Sequence, residues 1–401
     1  MIRKTRVAVL LLLALLLVGG VVASAQDAFV FGVVLVGPKN DRGWSQSHYE
    51  AGQYVEQHVP GSKMVLFESL NTSDNPQATL HGVVSDMVDQ GAKLIITTSA
   101  EFQEDTDKVA KEFPNVVFMH MTGDSVLKKT APPNVGNYNS WFEMGRAISG
   151  CAAALTTKTG SIGYVGALID PETRRHASSA YLGARYCYQK YAGGDPDKLK
   201  FTVTWIGFWF NIPGVTLDPT EVSTTFFDGG ADVVLSGIDT TEALIVADKF
   251  TKEGKPVWAI PTDNPKGCDE APDVCLGAPY YNWGPTYVRL VKEIQSGTWT
   301  QSWDWEPPVY DDLNNLDKSP VGFTFGAGLT DDAKKKLESF LSDMAAYGDD
   351  PANKDTMFLW SGPLNLQDST VLAKDGEKLE LTKIWYLEQL LQGMTGASTS
   401  E

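Results

Sequence analysis

The sequence is short of basic residues: 33 Lys and Arg stand against 50 Asp and Glu, a formal net charge of −17. A nucleic-acid partner needs a basic face, so this balance argues against that class and points to an acidic, solubilising surface. Histidine is scarce too. The five copies, His48, His58, His81, His120 and His176, form no His-Glu-x-x-His pair, and Gly-x-Ser-x-Gly and Walker-type loops are missing. Zinc-protease, nucleophile-elbow and phosphate-loop chemistry therefore have no support. Cys-x-x-Cys is absent and no His stands at ligand spacing from a Cys, so neither a metal nor a cofactor is expected. A secreted hydrolase working through paired carboxylates is the enzyme class left standing, since so many acidic residues supply pairs by accident. Past the first twenty residues no apolar run approaches the roughly 18 to 20 residues that a membrane helix needs. No internal repeat or low-complexity tract is present.

What is present begins with an address. Arg3, Lys4 and Arg6 precede an apolar run from Val7 to Val18, and Ala23-Ser24-Ala25 follows as a small-residue cleavage site. This reads as a secretory signal over residues 1–25. Its loss removes three basic and no acidic residues, leaving the exported chain at −20. An oxidising compartment makes disulfides plausible for Cys151, Cys187, Cys268 and Cys275. Cys268 and Cys275 share one loop and are expected to pair. Cys151 and Cys187 fall on two separate helical stretches, where they either staple the two or remain buried thiols.

From Phe29 onward short apolar strands alternate with helical stretches. Phe29–Val36 is apolar throughout, as a strand covered on both faces must be. Strands at Lys63–Phe67, Lys93–Thr98 and Val116–Met119 follow, separated by helices over 47–58, 75–90 and 101–113. The pattern restarts with a helix over 140–156, then strands at Ser161–Val165, Phe201–Ile206, Val233–Ser236 and Val257–Ile260 with helices over 171–191, 220–227 and 240–252. Residues 134–139 and 274–282 read as crossings. A helix over 286–296, a strand at 321–325, a helix over 330–346 and a hairpin near 358–372 close the pattern, with a third crossing among them. The expected fold is α/β, two doubly wound parallel-sheet lobes on a multi-strand hinge. The first lobe takes residues 26–136 plus 283–392 and the second 137–282, with a disordered tail over 393–401.

Ligands bind such sheets beyond the carboxyl ends of the strands, so the loops there carry the candidates. After the first strand come Asp41, Trp44 and Ser45, a hydrogen-bond acceptor beside a flat ring. After the third stand Ser99, Ala100 and Glu101, small residues ahead of a helix start whose N–H groups await a partner. Asn139 closes the first crossing. In the second lobe Trp205, Phe208, Trp209 and Phe210 crowd one strand end, and Phe208 or Trp209 is the candidate for stacking on a planar solute. Gly237 and Asp239 end one strand. Asp263 ends another, where a carboxylate can grip neighbouring hydroxyls.

In order and spacing these segments resemble the basic-membrane-protein (BMP) family of solute receptors for ABC importers. The resemblance runs from about Phe29 to about Leu391. It is carried by Asp41-Arg42-Gly43-Trp44-Ser45, Tyr138–Gly150, Gly160–Gly166, Phe227–Thr240, Pro261-Thr262-Asp263 and Cys275–Trp299. The family includes receptors for purine nucleosides and one for riboflavin. The resemblance implies a non-enzymatic, monomeric exported protein that closes on a purine nucleoside, nucleobase or related aromatic solute and hands it to an ABC permease. Trp44 would take the place of a stacking Phe, and Asp263 that of a ribose-binding Asp. Ser45 stands where the family often has Asn, and no lipid-attachment Cys follows the signal. A ligand-binding sensor of the same fold would share this binding physics and differ in its partner.

Overall fold

The computed structural model describes residues 28–399; the signal-like segment 1–25 lies outside them. The first lobe runs β1 (Phe29–Leu35), α1 (Trp44–His58), β2 (Ser62–Phe67), α2 (Leu80–Asp89), β3 (Ala92–Thr98), α3 (Gln103–Ala110), β4 (Val117–His120) and β5 (Val135–Ser140). The second lobe follows as α4 (Phe142–Thr156), β6 (Ser161–Gly166), α5 (Pro171–Lys190), β7 (Lys200–Trp205), α6 (Pro219–Asp228), β8 (Val233–Gly237), α7 (Glu242–Lys252) and β9 (Trp258–Ile260). The remainder is β10 (Gly277–Tyr281), α8 (Gly284–Ser296), β11 (Trp303–Glu306), β12 (Val321–Phe325), α9 (Asp331–Gly348), β13 (Leu364–Asn365), β14 (Val371–Ala373), α10 (Leu381–Trp385) and β15 (Met394–Thr395).

Two large sheets result, of order β11-β5-β4-β3-β1-β2 and β15-β7-β6-β8-β9, each parallel throughout, beside two antiparallel pairs, β10-β12 and β13-β14. Phe31 to Leu35 are covered on both faces of the first sheet, which is why that stretch is apolar without alternation. In each large sheet the strand order reverses about the first strand of that lobe, β1 next to the edge of the first sheet and β6 in the middle of the second. A crevice opens where neighbouring connections leave on opposite faces.

The second lobe is built on a close helix pair. A Cβ on Gly150 would come 1.8 Å from Ala180 O, and one on Gly183 would come 2.0 Å from Ala147 O. Only glycine lets α4 and α5 approach this far. Cys151 and Cys187 cross-link the pair, with Cα atoms 5.1 Å apart. Cys268 and Cys275 form the second disulfide.

Several elements depart from the sequence reading. Helix α2 starts at Leu80 rather than at residue 75, because the Asn71 and Asn75 side chains bond Val36 O and Ser69 O, and Thr79 caps the helix. The larger correction concerns the C-terminal quarter. Strand β11 does pair with β5 and complete the first sheet. Strand β12 then runs antiparallel to β10 as the third crossing and delivers the chain to the second lobe. There Leu337, Phe340, Met344 and Trp360 join Cys151, Ile162, Phe201 and Leu235 in one core. Residues 331–399 thus pack on the second lobe, not the first. Nor is the chain disordered from residue 393 to 399: β15 pairs with β7, and Trp205 Nε1 donates to Ala397 O at 2.7 Å.

Candidate ligand-binding cleft

The loops at the carboxyl ends of both sheets face each other across a cavity. Its wall draws on the ends of β1, β3 and β4 from the first lobe. The second lobe contributes the starts of α4 and α5 and the ends of β6, β7, β8 and β9, and β10 adds Tyr281 from the hinge. Seven of the twelve residues singled out from sequence line it: Trp44, Ser99, Ala100, Trp209, Gly237, Asp239 and Asp263.

Trp44 is held rigidly. Its Nε1 donates to Thr98 O at 2.6 Å, and its ring meets those of His48, Tyr281 and Trp283 edge-on at 4.5, 5.2 and 5.4 Å. Tyr281 itself is stacked between Phe142 at 3.8 Å and Trp283 at 4.6 Å. Such a preset aromatic wall can meet a planar solute without ordering cost.

The five remaining candidates do not line the cavity, and their contacts explain why. Asp41 Oδ1 accepts from the N–H of Gly43 and Gln46, and Oδ2 from that of Ser45, so its carboxylate caps the start of α1. Ser45 Oγ accepts from Gly37 N at 3.1 Å. Asn139 Oδ1 accepts from Ser140 N, and its Nδ2 reaches Glu172 at 3.4 Å. Phe208 meets Phe210 edge-on and both pack against the first-lobe core. Glu101 Oε1 accepts from Trp209 Nε1 at 2.7 Å.

The last two are contacts between lobes, and more accompany them. Thr122 Oγ1 donates to Glu172 at 2.7 Å, Lys266 Nζ to Glu50 at 2.9 Å, and Arg42 pairs with Glu270 at 3.3 Å. Gly43 lies so close to the second lobe that a Cβ there would come 2.0 Å from Asp239 O. The two halves are shut on each other.

Sequence reasoning missed the charged side of the cavity: Arg146 from α4, and Glu172, Thr173 and His176 from the first turns of α5. A signal existed for both. Arg146 is the lone cation on a helix whose other residues, Glu143 apart, are small or apolar. Thr173 opens a helix directly after a strand, the same rule that picks Ser99. Asp170 fixes that turn by accepting from Thr173 N at 2.8 Å, with Pro171 at the first helical position.

Arg146 is 4% exposed. Its Nη1 donates to Ser236 O at 2.6 Å, and its guanidinium lies over the rings of Phe142 at 4.9 Å and Tyr164 at 5.9 Å. Asp263 sits in the left-handed backbone region at φ 71°, one of the few places a short polar side chain tolerates, and its N–H donates to Pro279 O of the hinge strand. Burial pushes its carboxyl up to about 6, against the pull of Arg146 and a hydrogen bond from Thr262. Burial drives Asp239 well up as well, reinforced by Asp263, Asp41 and Glu101. His176 is held low by burial, with Glu143 pulling the other way. Among the described residues no group of three or more His, Cys, Asp or Glu side chains is placed to hold a metal.

A family model described as "Bmp: ABC transporter substrate-binding protein PnrA-like" matches residues 28–306. A purine-binding protein of Brucella abortus is 29% identical over 375 residues, covering 94% of this chain and 93% of its own. A putative ABC transporter glucose-binding protein of Haloferax volcanii is 24% identical, covering 82% of this chain and 73% of its own. Among solved structures, a solute-binding protein of an ABC transporter system from Conexibacter woesei superposes with a TM-score of 0.57 at 19% identity, over 80% of this chain and 97% of its own.

Proposed function

The chain belongs to the Bmp family of PnrA-like ABC transporter substrate-binding proteins, and we propose that the solute it receives is a purine nucleobase or nucleoside. It is a receptor, not an enzyme. The observation that carries the reading is the convergence of four aromatic side chains, Trp44, Tyr164, Trp209 and Tyr281, with the carboxyls of Asp239 and Asp263 on one closed cavity. Flat rings favour a planar π-system, each stack being worth about 1–3 kcal/mol, and the carboxyls take its N–H or O–H groups. The purine-binding relative in Brucella abortus supports the same class.

In this reading the solute first meets one lobe in the open state. Contact with the other lobe then shifts the population toward the closed form, which the permease reads. Export by cleavage after Ala25 completes the reading, and the exported protein then begins at Gln26. The deciding experiment is mass spectrometry of the small molecules released when the purified protein is denatured, followed by calorimetric titration with purines, flavins and glucose. Purines bound at micromolar concentration or tighter are the expected outcome. Binding of glucose with no purine binding would overturn the purine assignment.

A further inference from the structure

Arg146 is the one Arg or Lys among the described residues lining the cavity, and one edge of its guanidinium is idle. Nη1 is engaged by Ser236 O. Nη2 lies 3.9 Å from Asp263 Oδ1, outside hydrogen-bond reach, and Nε is buried with no acceptor. Nε and Nη2 carry the two parallel N–H groups on the side of the guanidinium fork, and arginine cannot shed its charge to escape the cost of leaving them unpaired. The Ser236 anchor and the Phe142 and Tyr164 rings hold the group in place, so this pair of donors is preset.

What could fill it is limited by its neighbours. Glu172, Asp239 and Asp263 line the same cavity, which disfavours a carboxylate or phosphate as the missing partner. The acceptor pair must therefore belong to a neutral ring. The O6 and N7 atoms of a 6-oxopurine are such a pair, and they match a side-on arginine fork, whereas a 6-aminopurine sets a donor beside N7 and repels one of the two N–H groups. Asp239 accepts no hydrogen bond through its carboxyl from any described residue and is free to take a ring N–H. Resting on the purine reading above, we infer that Arg146 is the residue that sets specificity, and that the receptor prefers 6-oxopurines to 6-aminopurines.

The test titrates the solute-free wild-type protein with hypoxanthine, adenine and 7-deazahypoxanthine. Hypoxanthine should bind about tenfold or more tightly than adenine, and removing N7 should cost about fivefold or more, the discrimination expected of a forked contact. Arg146→Lys keeps the charge and loses the fork, so the preference should fall to within about twofold. Equal or tighter adenine binding, or indifference to the 7-deaza change, overturns the inference while leaving a purine receptor intact. If the free bases fail to bind, inosine against adenosine makes the same comparison, and failure of these as well overturns the purine reading with it. The 7-deaza comparison needs no variant and stands even if Arg146→Lys does not fold.

Discussion

Trp209 Nε1 in the second lobe donates a 2.7 Å hydrogen bond to Glu101 Oε1 in the first. The two residues lie on loops that meet only when the lobes are shut, and Trp209 also lines the cavity. The bond therefore adds to the free energy of the closed form and to nothing in the open one. Trp209→Phe keeps an aromatic ring and removes the donor. Because the pair is solvent-exposed, the loss should be small, about 0.5–1.5 kcal/mol, or roughly a two- to tenfold weaker Kd. Titration calorimetry with small-angle scattering would read it. An unchanged Kd together with an unchanged open fraction would exclude the bond from closure.

Trp44 serves two masters, the cavity and the first-lobe core. Trp44→Ala should weaken solute binding by about 1–3 kcal/mol through lost stacking and should also lower the melting temperature by several degrees, since His48, Tyr281 and Trp283 lose a packing partner. Trp44→Phe should recover most of the stability. Calorimetric affinity unaffected by the alanine change would remove Trp44 from the solute's contacts.

Asp263 makes the empty protein sensitive to pH. Its carboxyl titrates near 3.8 when unfolded and at about 6 in the fold, so between those values the native state binds more protons than the unfolded one. Stability contributed at this position therefore falls as pH rises from 4 to 6 and is flat above, a loss of about 2–3 kcal/mol. Asp263→Asn should gain stability relative to the parent across that window, by an amount of the same order. Urea melts of the pair at pH 4, 5, 6 and 7 measure it. A difference that stays constant with pH would mean that Asp263 titrates normally.

The two disulfides should not contribute equally. Cys151–Cys187 closes a 36-residue separation and Cys268–Cys275 one of 7. Loop-closure entropy makes the longer bridge the more stabilising, about 4 against about 2 kcal/mol. The double alanine variant at 151 and 187 should also loosen the α4–α5 pair, from which Arg146, Glu172 and His176 reach the cavity, and so weaken solute binding. Denaturation midpoints of the two double variants test the order, and the reverse order would refute it.

Much of this architecture was legible locally. An uninterrupted apolar stretch such as Phe31 to Leu35 has no stable home but a strand covered on both faces, and the helices between such strands dictate a parallel sheet. The switch-point rule then locates the loops that matter, which is why Trp44, Ser99, Asp239 and Asp263 were found. What escaped depends on pairs of residues far apart in the chain. Nothing near Leu337 or Phe340 says which lobe the α9 face will cover, because that is settled by β12 crossing the hinge. Within Phe208-Trp209-Phe210 all three rings look alike in sequence. Only the meeting of lobes sends the middle one to the cavity and the outer two onto the opposite lobe. Asp41 looked like a ligand contact because a helix cap and a solute acceptor require the same side chain.

Strand β15 lies along β7, which would otherwise be the outermost strand of the second sheet. A bare rim of unpaired amides is a template on which a stranger's chain can dock and polymerise. Met394 and Thr395 occupy that template from within the same polypeptide, so clipping the last few residues should cost little in solute recognition yet leave the protein prone to clumping at high concentration.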